Sequence, residues 1–294
     1  MGQVLTTINM KGGVGKTTLT VNLGTCLARD YNQRVLIVDL DSQISGTLSL
    51  ISPHDFSRIR KGRRTLNYLI DKIIRPYIQR KYFTEDMILK NVCNLEGLDL
   101  LPGDIELYDE YIFAETLYKK GIAEESKFSE VWGYFEESLI KKILMPVVDK
   151  YDFILLDCAP GYNLLTRSGI VASNYYLLPA RPEPLSLVGI QLLERRIEKL
   201  KKKYNPPLNV DLLGISFILS GGLFSSRYYN QVMQRIEEDF ESKKIFNTRI
   251  PMDVNIAKAV DSFTPAVLQT PNSAGSKAFK KLTQEFVEKL NVHI

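Results

Sequence analysis

The stretch that decides the fold runs from Gln3 to Thr18 and reads Q-V-L-T-T-I-N-M-K-G-G-V-G-K-T-T. Its first part, from Val4 to Ile8, is apolar and rich in β-branched residues, which predicts a buried strand. Three glycines then fall within four positions, and the segment after them carries leucines at helical spacing. A strand, a glycine-rich loop and a helix in this order are the setting of a phosphate-binding loop.

The residue types in this loop suit a polyphosphate ligand. The glycines allow the backbone to turn its N–H groups towards an anion, and the start of the helix adds its positive dipole end. We expect Lys16 to neutralise the β- and γ-phosphates and the Thr17 hydroxyl to ligate Mg²⁺. The predicted nucleotide-binding segment comprises Lys11, Gly12, Gly13, Val14, Gly15, Lys16, Thr17 and Thr18.

Two further apolar segments run into acidic residues. The first spans residues 34–41 and contains Asp39 and Asp41, and the second spans residues 151–157 and ends in Asp157. Strands of a parallel sheet are apolar on both faces, and ligands bind at the edge where their carboxyl ends lie. We therefore expect all three carboxylates at that edge. The residues alone leave open whether Asp39 or Asp41 positions an attacking water.

Strand patterns alternate with helical patterns from one end of the chain to the other. This alternation predicts an α/β fold, with a doubly wound, mostly parallel sheet flanked by helices. The segment 246–253 is predicted as a last short strand that stops at a proline. Because the long helical segment 104–150 contains no glycine- or proline-rich linker, we interpret residues 1–294 as a single domain.

The composition is that of an ordinary globular protein, with 45% hydrophobic and 24% charged residues. No apolar stretch approaches the roughly 20 residues that a membrane-spanning helix needs. The first strand leaves no room for a signal peptide, and the three cysteines are scattered singly, so we expect a cytoplasmic protein. The net charge of +4 permits binding to nucleic acid or to an anionic membrane without demanding either.

The form K-G-G-V-G-K-T-T departs from the regular phosphate-binding loop in an informative way. Met10 stands where the first glycine of the regular pattern belongs, and a second lysine, Lys11, precedes the paired glycines. This form resembles the deviant Walker A box of the ParA/MinD family of ATPases. The segment that ends in Asp157 resembles a Walker B strand, and Gln43 continues the family pattern after Asp41.

The resemblance implies ATP and Mg²⁺ as cofactors and assigns roles to the acidic residues. Thr17 ligates the metal directly, Asp39 and Asp157 act on it through water, and Asp41 positions the attacking water. Lys11 reaches the phosphates of a second subunit, so that ATP binding closes a homodimer. By the same resemblance, Lys11, Lys16 and Asp41 are the catalytic residues.

Two other sites follow from the resemblance or from charge. The family forms part of its adenine pocket with an Ile-Pro segment, which places Pro251 and Met252 against the base. The polybasic segment 195–203 would offer phosphate contacts to DNA, although an ordinary solvated helix face explains it equally well. The DNA-binding candidates are Arg195, Arg196, Lys199, Lys202, Arg227 and Arg249.

The function that the resemblance implies is the positioning of cargo on the nucleoid. ParA-like proteins bind DNA without sequence preference as ATP-dependent dimers, and an adaptor protein stimulates hydrolysis and releases them. Their cargo is a plasmid, a chromosome or a protein organelle such as the carboxysome. Because the phosphate loop begins within the first dozen residues, we expect no N-terminal DNA-recognition extension.

Two alternative functions and the role of one basic cluster stay open at this point. A MinD-like protein would bind membrane through a C-terminal amphipathic helix, but Glu285 and Glu288 interrupt the basic face of residues 279–290, and packing on the sheet is the favoured interpretation. A metabolic P-loop enzyme would need a substrate pocket, for which no residue signature is visible. The basic cluster 58–64 is either a solvated loop or a contact for a polyanion.

Overall fold

The structure is a computed structural model that describes residues 2–74, 83–107, 110–218 and 226–291. The strands of the sheet are β1 (Gln3–Thr7), β2 (Val35–Leu40), β3 (Leu98–Leu101), β4 (Phe153–Cys158), β5 (Tyr175–Ala180) and β6 (Asp211–Phe217). The first helices are α1 (Lys16–Tyr31), α2 (Ser45–Leu48), α3 (Pro53–Lys61), α4 (Leu66–Ile74), α5 (Thr84–Met87), α6 (Glu110–Ala123) and α7 (Phe128–Leu144). They are followed by α8 (Leu164–Ala172), α9 (Pro184–Lys203), α10 (Ser226–Asp239), α11 (Val254–Asp261), α12 (Ala266–Gln269) and α13 (Ala274–Asn291).

The six strands form one parallel sheet in the order β3-β2-β4-β1-β5-β6. This confirms the predicted doubly wound α/β fold. The chain leaves β1 towards one side of the sheet for β2 to β4 and later continues on the other side with β5 and β6. The loop after β1 therefore lies where the strand order reverses, which is the usual ligand-binding position in open α/β sheets.

Alternate residues of the central strands supply two apolar layers. Leu36 and Ile154 face a layer that contains side chains of α4, α7 and α8, while Ile37 and Leu155 face a layer with α1 and α13. This alternation follows from the two-residue period of a strand. It fixes the sheet between two sets of helices and leaves its carboxyl edge free for ligands.

The C-terminal helix packs on the sheet, as the favoured interpretation predicts. The residues of its apolar stripe are at most 3% exposed: Phe279, Leu282, Phe286 and Leu290. The ring of Phe286 lies 5.8 Å from that of Phe153 on β4, measured between centroids. These side chains are part of the core, so they are not available to insert into a bilayer.

One predicted strand is almost absent from the structure. Residues 246–253 form only one isolated bridge, between Ile250 and Ile218, and a second bridge joins the preceding residue, Ile245, to Ile215. Pro251 has no N–H with which to continue the pairing. The segment 66–78 has a helical pattern; the structure describes a helix over residues 66–74, and residues 75–78 lie outside the described residues.

The basic cluster 58–64 is divided between a helix and the exposed turn that follows it. Its first half belongs to α3, and its charges are partly neutralised within the chain. Arg60 forms ion pairs with Asp104, at 3.2 Å, and with Glu106. Arg58 pairs with Asp55 at 3.1 Å.

Candidate nucleotide-binding site

A cavity of about 540 Å³ opens at the carboxyl edge of the sheet, beside the loop between β1 and α1. It brings together residues that lie far apart in the sequence. The predicted site residues that line it are Gly12, Gly13, Gly15, Lys16, Thr17, Thr18, Asp41, Pro251 and Met252. The phosphate loop, one acidic residue and the expected adenine segment thus share one cavity.

The backbone of the phosphate loop needs its glycines. Gly13 and Gly15 have φ angles of +69° and +88°, in the left-handed region that L-residues with side chains rarely adopt. At Gly15 the loop is also tightly packed, because an added Cβ would lie only 2.2 Å from Cδ1 of Ile218, just beyond β6. Helix α1 begins directly after this turn, at Lys16, so its free N–H groups face the loop.

Lys16 is a buried cation of the phosphate loop. The residue is only 6% exposed, and its Nζ donates a hydrogen bond of 3.0 Å to the carbonyl oxygen of Lys11. Burial lowers the pKa of Lys16, although the nearby charge of Asp157 acts in the opposite direction. A buried ammonium group held in this way is strongly stabilised by a charge-assisted hydrogen bond to a phosphate.

Two buried carboxyl groups stand behind the loop, on neighbouring strands that pair at Asp39 and Asp157. Asp157 accepts a hydrogen bond of 2.7 Å from the Thr17 hydroxyl. Asp39 accepts hydrogen bonds of 2.7 Å from both the backbone N–H and the hydroxyl of Thr47. Burial raises the pKa of both groups, and the charge of Asp39 raises that of Asp157 further.

This set of oxygen atoms fits the metal that the sequence predicts. One hydroxyl and two carboxylates are donors that Mg²⁺ prefers, and it commonly retains several waters beside them. Gly46 packs closely against both carboxyl groups, since an added Cβ would approach Asp157 Oδ2 to 3.0 Å and Asp39 Cγ to 3.1 Å. Thr17, Asp39 and Asp157 are therefore the residues that would hold the ion.

Asp41 differs from Asp39 in that its side chain faces the cavity. It is 7% exposed, and its Oδ1 accepts a hydrogen bond of 2.9 Å from the backbone N–H of Gln43. The turn that follows is strained, because Ile44, a β-branched residue, has a φ of +49°. The geometry thus distinguishes two acids that the sequence alone left equivalent.

Two residues of the predicted binding segment lie outside the cavity. Val14 is buried in the protein, with 1% exposure. The side chain of Lys11 is 46% exposed and forms an ion pair with Glu183, the residue that caps the start of α9. Neither side chain lines the cavity in this structure.

The expected adenine segment forms the far wall of the cavity. Met252 is 60% exposed, and α11, which follows it, adds Ile256 and Val260 to the same wall. These two residues are not among the predicted site residues, and neither are Arg181 after β5 and Ile218 after β6. Arg181 and Ile218 were detectable in principle, because both follow predicted strands at the ligand-binding edge.

The DNA-binding candidates on α9 are exposed, but they are not equivalent. Among the described residues, Arg195, Lys199 and Lys202 have no ion-pair partner. Arg196 instead turns towards the phosphate loop, where its Nη1 lies 3.7 Å from the sulfur of Met10 and its guanidinium lies over the ring of Tyr162.

The two remaining candidates lie elsewhere on the chain. Arg249 is exposed on the segment that bridges to β6. Arg227 lies in the first turn of α10, and its side chain is outside the described part of the chain. The exposed basic surface of α9, comprising Arg195, Lys199 and Lys202, is hereafter called the α9 basic face.

Comparison with known proteins assigns the chain to a family. A family model described as an AAA domain matches residues 2–210. The chain is 28% identical to the chromosome-partitioning ATPase Soj of Treponema pallidum, over 98% of both chains. It is 29% identical to the sporulation initiation inhibitor protein Soj of Bacillus subtilis, over 97% of this chain and 98% of that protein. The chain belongs to the ParA/MinD family of ATPases.

Solved structures support the same family fold. The ATP complex of a Cyanothece McdA variant aligns with a TM-score of 0.73 and 20% identity, over 99% of this chain and 96% of that one. The cell division ATPase MinD of Pyrococcus furiosus aligns with a TM-score of 0.66 and 25% identity, over 99% and 100%.

A metabolic enzyme has the same fold. Cobyrinic acid a,c-diamide synthase of Mycobacterium smegmatis, solved with an ATP analogue and magnesium, aligns with a TM-score of 0.72 and 22% identity, over 100% of this chain and 97% of that one. The predicted cofactors of this ParA/MinD ATPase, ATP and Mg²⁺, are thus those found in related structures. None of its described helices combines the length and the apolar composition that a bilayer crossing requires.

Proposed function

We propose that this ATPase is a ParA-like cargo-positioning protein that dimerises on ATP, binds DNA without sequence preference and is released when an adaptor stimulates hydrolysis. The observation that carries the proposal is the α9 basic face, an exposed cationic surface on a family ATPase. The expected location is the cytoplasm, on the nucleoid, and residues 1–294 act as one P-loop domain.

The proposed chemistry divides hydrolysis of ATP among the residues of the cavity. Lys16 and the loop N–H groups bind the phosphates, and this positioning and charge neutralisation are the main contributions of a protein to phosphoryl transfer. Asp41 orients the attacking water, because its carboxylate faces the cavity. Thr17 would ligate Mg²⁺ and Asp39 and Asp157 would hold the ion through water; when bound, the ion would neutralise charge on the phosphates.

The proposed dimer is closed by Lys11. Its side chain is directed away from the cavity and is half exposed, which suits a contact with the phosphates of a second copy. Hydrolysis then removes the phosphate that Lys11 contacts and weakens the dimer. Any ligand that binds only the closed state stabilises it by mass action.

The role of Asp41 is tested with Asp41→Ala. This variant is expected to bind ATP and to accumulate as a dimer, because only the step that releases the dimer is lost. The measurement is the molar mass by light scattering with ATP, beside the rate of phosphate release. An Asp41→Ala protein that stays monomeric with ATP, or that still hydrolyses it at the wild-type rate, contradicts the assignment.

DNA binding is tested with a triple variant that replaces Arg195, Lys199 and Lys202 by alanine. Because a dimer presents both copies of the α9 basic face, up to six phosphate contacts are lost. The slope of log K against log salt should then become shallower by up to about five. Gel shifts on DNA of random sequence, with a non-hydrolysable ATP analogue and with ADP, measure the binding.

The matched control for this experiment removes the same charge from another helix. Lys277, Lys280 and Lys281 are exposed on α13, and replacing them by alanine should leave DNA binding at its wild-type value. Equal losses in the two triple variants would mean that net charge, and not the α9 basic face, attracts DNA. Binding that is the same with ADP as with the ATP analogue would contradict the nucleotide switch.

Two other functions are less well supported. A MinD-like membrane anchor formed by residues 279–290 is disfavoured because their apolar stripe is buried. A metabolic enzyme shares the fold, and turnover of a small acidic substrate would be its mark. Liposome sedimentation with ATP and with ADP tests the first alternative, and pulling down the adaptor from cells tests the cargo-positioning role directly.

A further inference from the structure

Arg181 is one of two basic residues that line the nucleotide-binding cavity. The other is Lys16, and no further lysine or arginine of the described ranges 2–74, 83–107, 110–218 and 226–291 lines it. Arg181 follows directly after the last residue of β5 and is half-buried. The cavity therefore contains a second cation, whose partner neither the phosphate loop nor the acidic residues supply.

The side chain of Arg181 has no protein partner in the part of the chain that the structure describes. It forms neither a hydrogen bond nor an ion pair there, whereas Lys16 Nζ is held by the carbonyl oxygen of Lys11. The two acids that line the same cavity, Asp41 and Asp253, accept hydrogen bonds from backbone N–H groups instead. Because a guanidinium group is always charged and carries five N–H donors, Arg181 presents an unused cation to a ligand.

The backbone of Arg181 is fixed beside the phosphate loop. Its carbonyl oxygen accepts a hydrogen bond of 2.8 Å from the N–H of Glu183, and the carbonyl oxygen of Ala180 accepts one of 2.8 Å from the N–H of Ile218. Ile218 in turn is the residue that a side chain added at Gly15 would contact. A short series of contacts thus connects Arg181 to the loop that binds the phosphates.

The strand order places Arg181 and the metal-binding acids on opposite sides of the phosphate loop. Asp39 and Asp157 lie near the carboxyl ends of β2 and β4, on one side of β1 in the sheet, while Arg181 follows β5, on the other side. A phosphate chain bound by the loop after β1 therefore has carboxyl groups on one side and a guanidinium on the other. Carboxylates suit a metal ion, whereas a guanidinium suits phosphate oxygens directly, because it can donate two parallel N–H bonds to them.

We propose that Arg181 binds the phosphate chain of ATP and acts, beside Lys16, as the second cation of the site. This inference rests on ATP as the ligand in the proposed function, and it is independent of the proposed dimer and of DNA binding. Lys16 and Arg181 then neutralise phosphate charge from two directions, which supports phosphoryl transfer. Because the residues that would hold Mg²⁺ lie on the other side of the loop, the contribution of Arg181 persists when the ion is saturating.

The test compares Arg181→Gln with a matched variant, Arg235→Gln. Arg235 is exposed on α10, outside the cavity, and it too has no partner among the described residues. Binding is measured by titration of a fluorescent ATP analogue and by its displacement with ATPγS or with inorganic tripolyphosphate, at saturating Mg²⁺. Tripolyphosphate has the phosphate chain without the base or the sugar, so it reports contacts to phosphate alone. The melting temperature without nucleotide should stay at its wild-type value in both variants.

The expected loss lies between that of an exposed ion pair and that of a hydrogen bond to a charged group, because Arg181 is half-buried. Arg181→Gln should therefore bind both competitors about five- to hundredfold more weakly than the wild type. Arg181→Lys, which retains the charge but not the planar fork, should lie between them, and Arg235→Gln should match the wild type.

Three results would overturn the role of Arg181 and leave the proposed function standing. They are a loss for both competitors that is smaller than about fivefold, an equal loss in Arg235→Gln, and a loss for ATPγS alone, which would place Arg181 against the base or the sugar. A wild type that binds neither competitor overturns the ATP site of the proposed function together with this inference.

Discussion

Adding a side chain to Gly15 tests how the phosphate loop is packed against the end of β6. At a φ of +88°, an alanine costs about 1–2 kcal/mol because left-handed backbone is unfavourable for L-residues. The new Cβ would also lie 2.2 Å from Ile218 Cδ1, so that side chain has to leave its rotamer, at about 0.5–1.5 kcal/mol. Gly15→Ala should therefore lower the free energy of unfolding by about 1.5–3.5 kcal/mol.

The neighbouring glycine separates the two contributions. Gly13 has a φ of +69°, but an added Cβ there meets no atom within 4 Å, so Gly13→Ala should cost only the backbone part, about 1–2 kcal/mol. Ile218→Val removes Cδ1, and the nearest remaining atoms, Cγ1 and Cγ2, are 3.5 and 3.7 Å from the new Cβ. In the double variant the contact part of the Gly15→Ala loss should disappear.

The assay is urea denaturation without nucleotide, for Gly13→Ala, Gly15→Ala, Ile218→Val and the double variant. Midpoints are compared at constant slope, so that changes in the unfolded state do not enter. The double-mutant cycle should give a coupling of about 0.5–1.5 kcal/mol, which is within the range for residues in contact. Additive losses from Gly15→Ala and Ile218→Val, or equal losses at the two glycines, would refute the packing argument.

Three further predictions concern the turn after Asp41, the carboxyl group of Asp157 and the lysine of the phosphate loop. Ile44 has a φ of +49°, so Ile44→Gly should melt at a higher temperature than Ile44→Ala. Both variants lose the buried side chain, but only glycine avoids the left-handed strain, which is about 1 kcal/mol. Because folding raises the pKa of Asp157, the folded state keeps a proton that the unfolded state loses. Stability should therefore fall as the pH rises from about 4. In thermal melts between pH 4.5 and 8, the melting temperature of Asp157→Asn should depend less on pH than that of the wild type. Lys16→Ala should weaken binding of a fluorescent ATP analogue about tenfold to a hundredfold in a titration, the value of one hydrogen bond to a charged group.

The sequence predicts the parts of the molecule that depend on local pattern. Apolar runs and helical spacing identify the strands and most of the helices, and the order of these elements fixes the parallel sheet. The glycine loop, Lys16 and the three acids are predicted at one edge, and the structure brings them together there. These predictions hold because each depends on neighbouring residues or on a general rule of parallel sheets.

Contacts between distant segments could not be predicted in the same way. The pairing of Lys11 with Glu183, and the approach of Ile218 to Gly15, depend on how loops after different strands meet. Periodicity carries no information on such distances. The same limit explains the segment 246–253, which has a β-like composition but forms only one isolated bridge, because Pro251 has no N–H to continue a ladder.

The burial of Asp157 has a consequence for calorimetry, because it outweighs the hydrogen bond from Thr17, which favours the anion. Without nucleotide, this carboxyl group is biased towards its neutral form, whereas beside a divalent cation it must be an anion. Filling the site with Mg²⁺-ATP therefore expels a hydrogen ion into the solution. The heat of nucleotide binding will then depend on the ionisation enthalpy of the buffer, and the apparent affinity will increase towards alkaline solution.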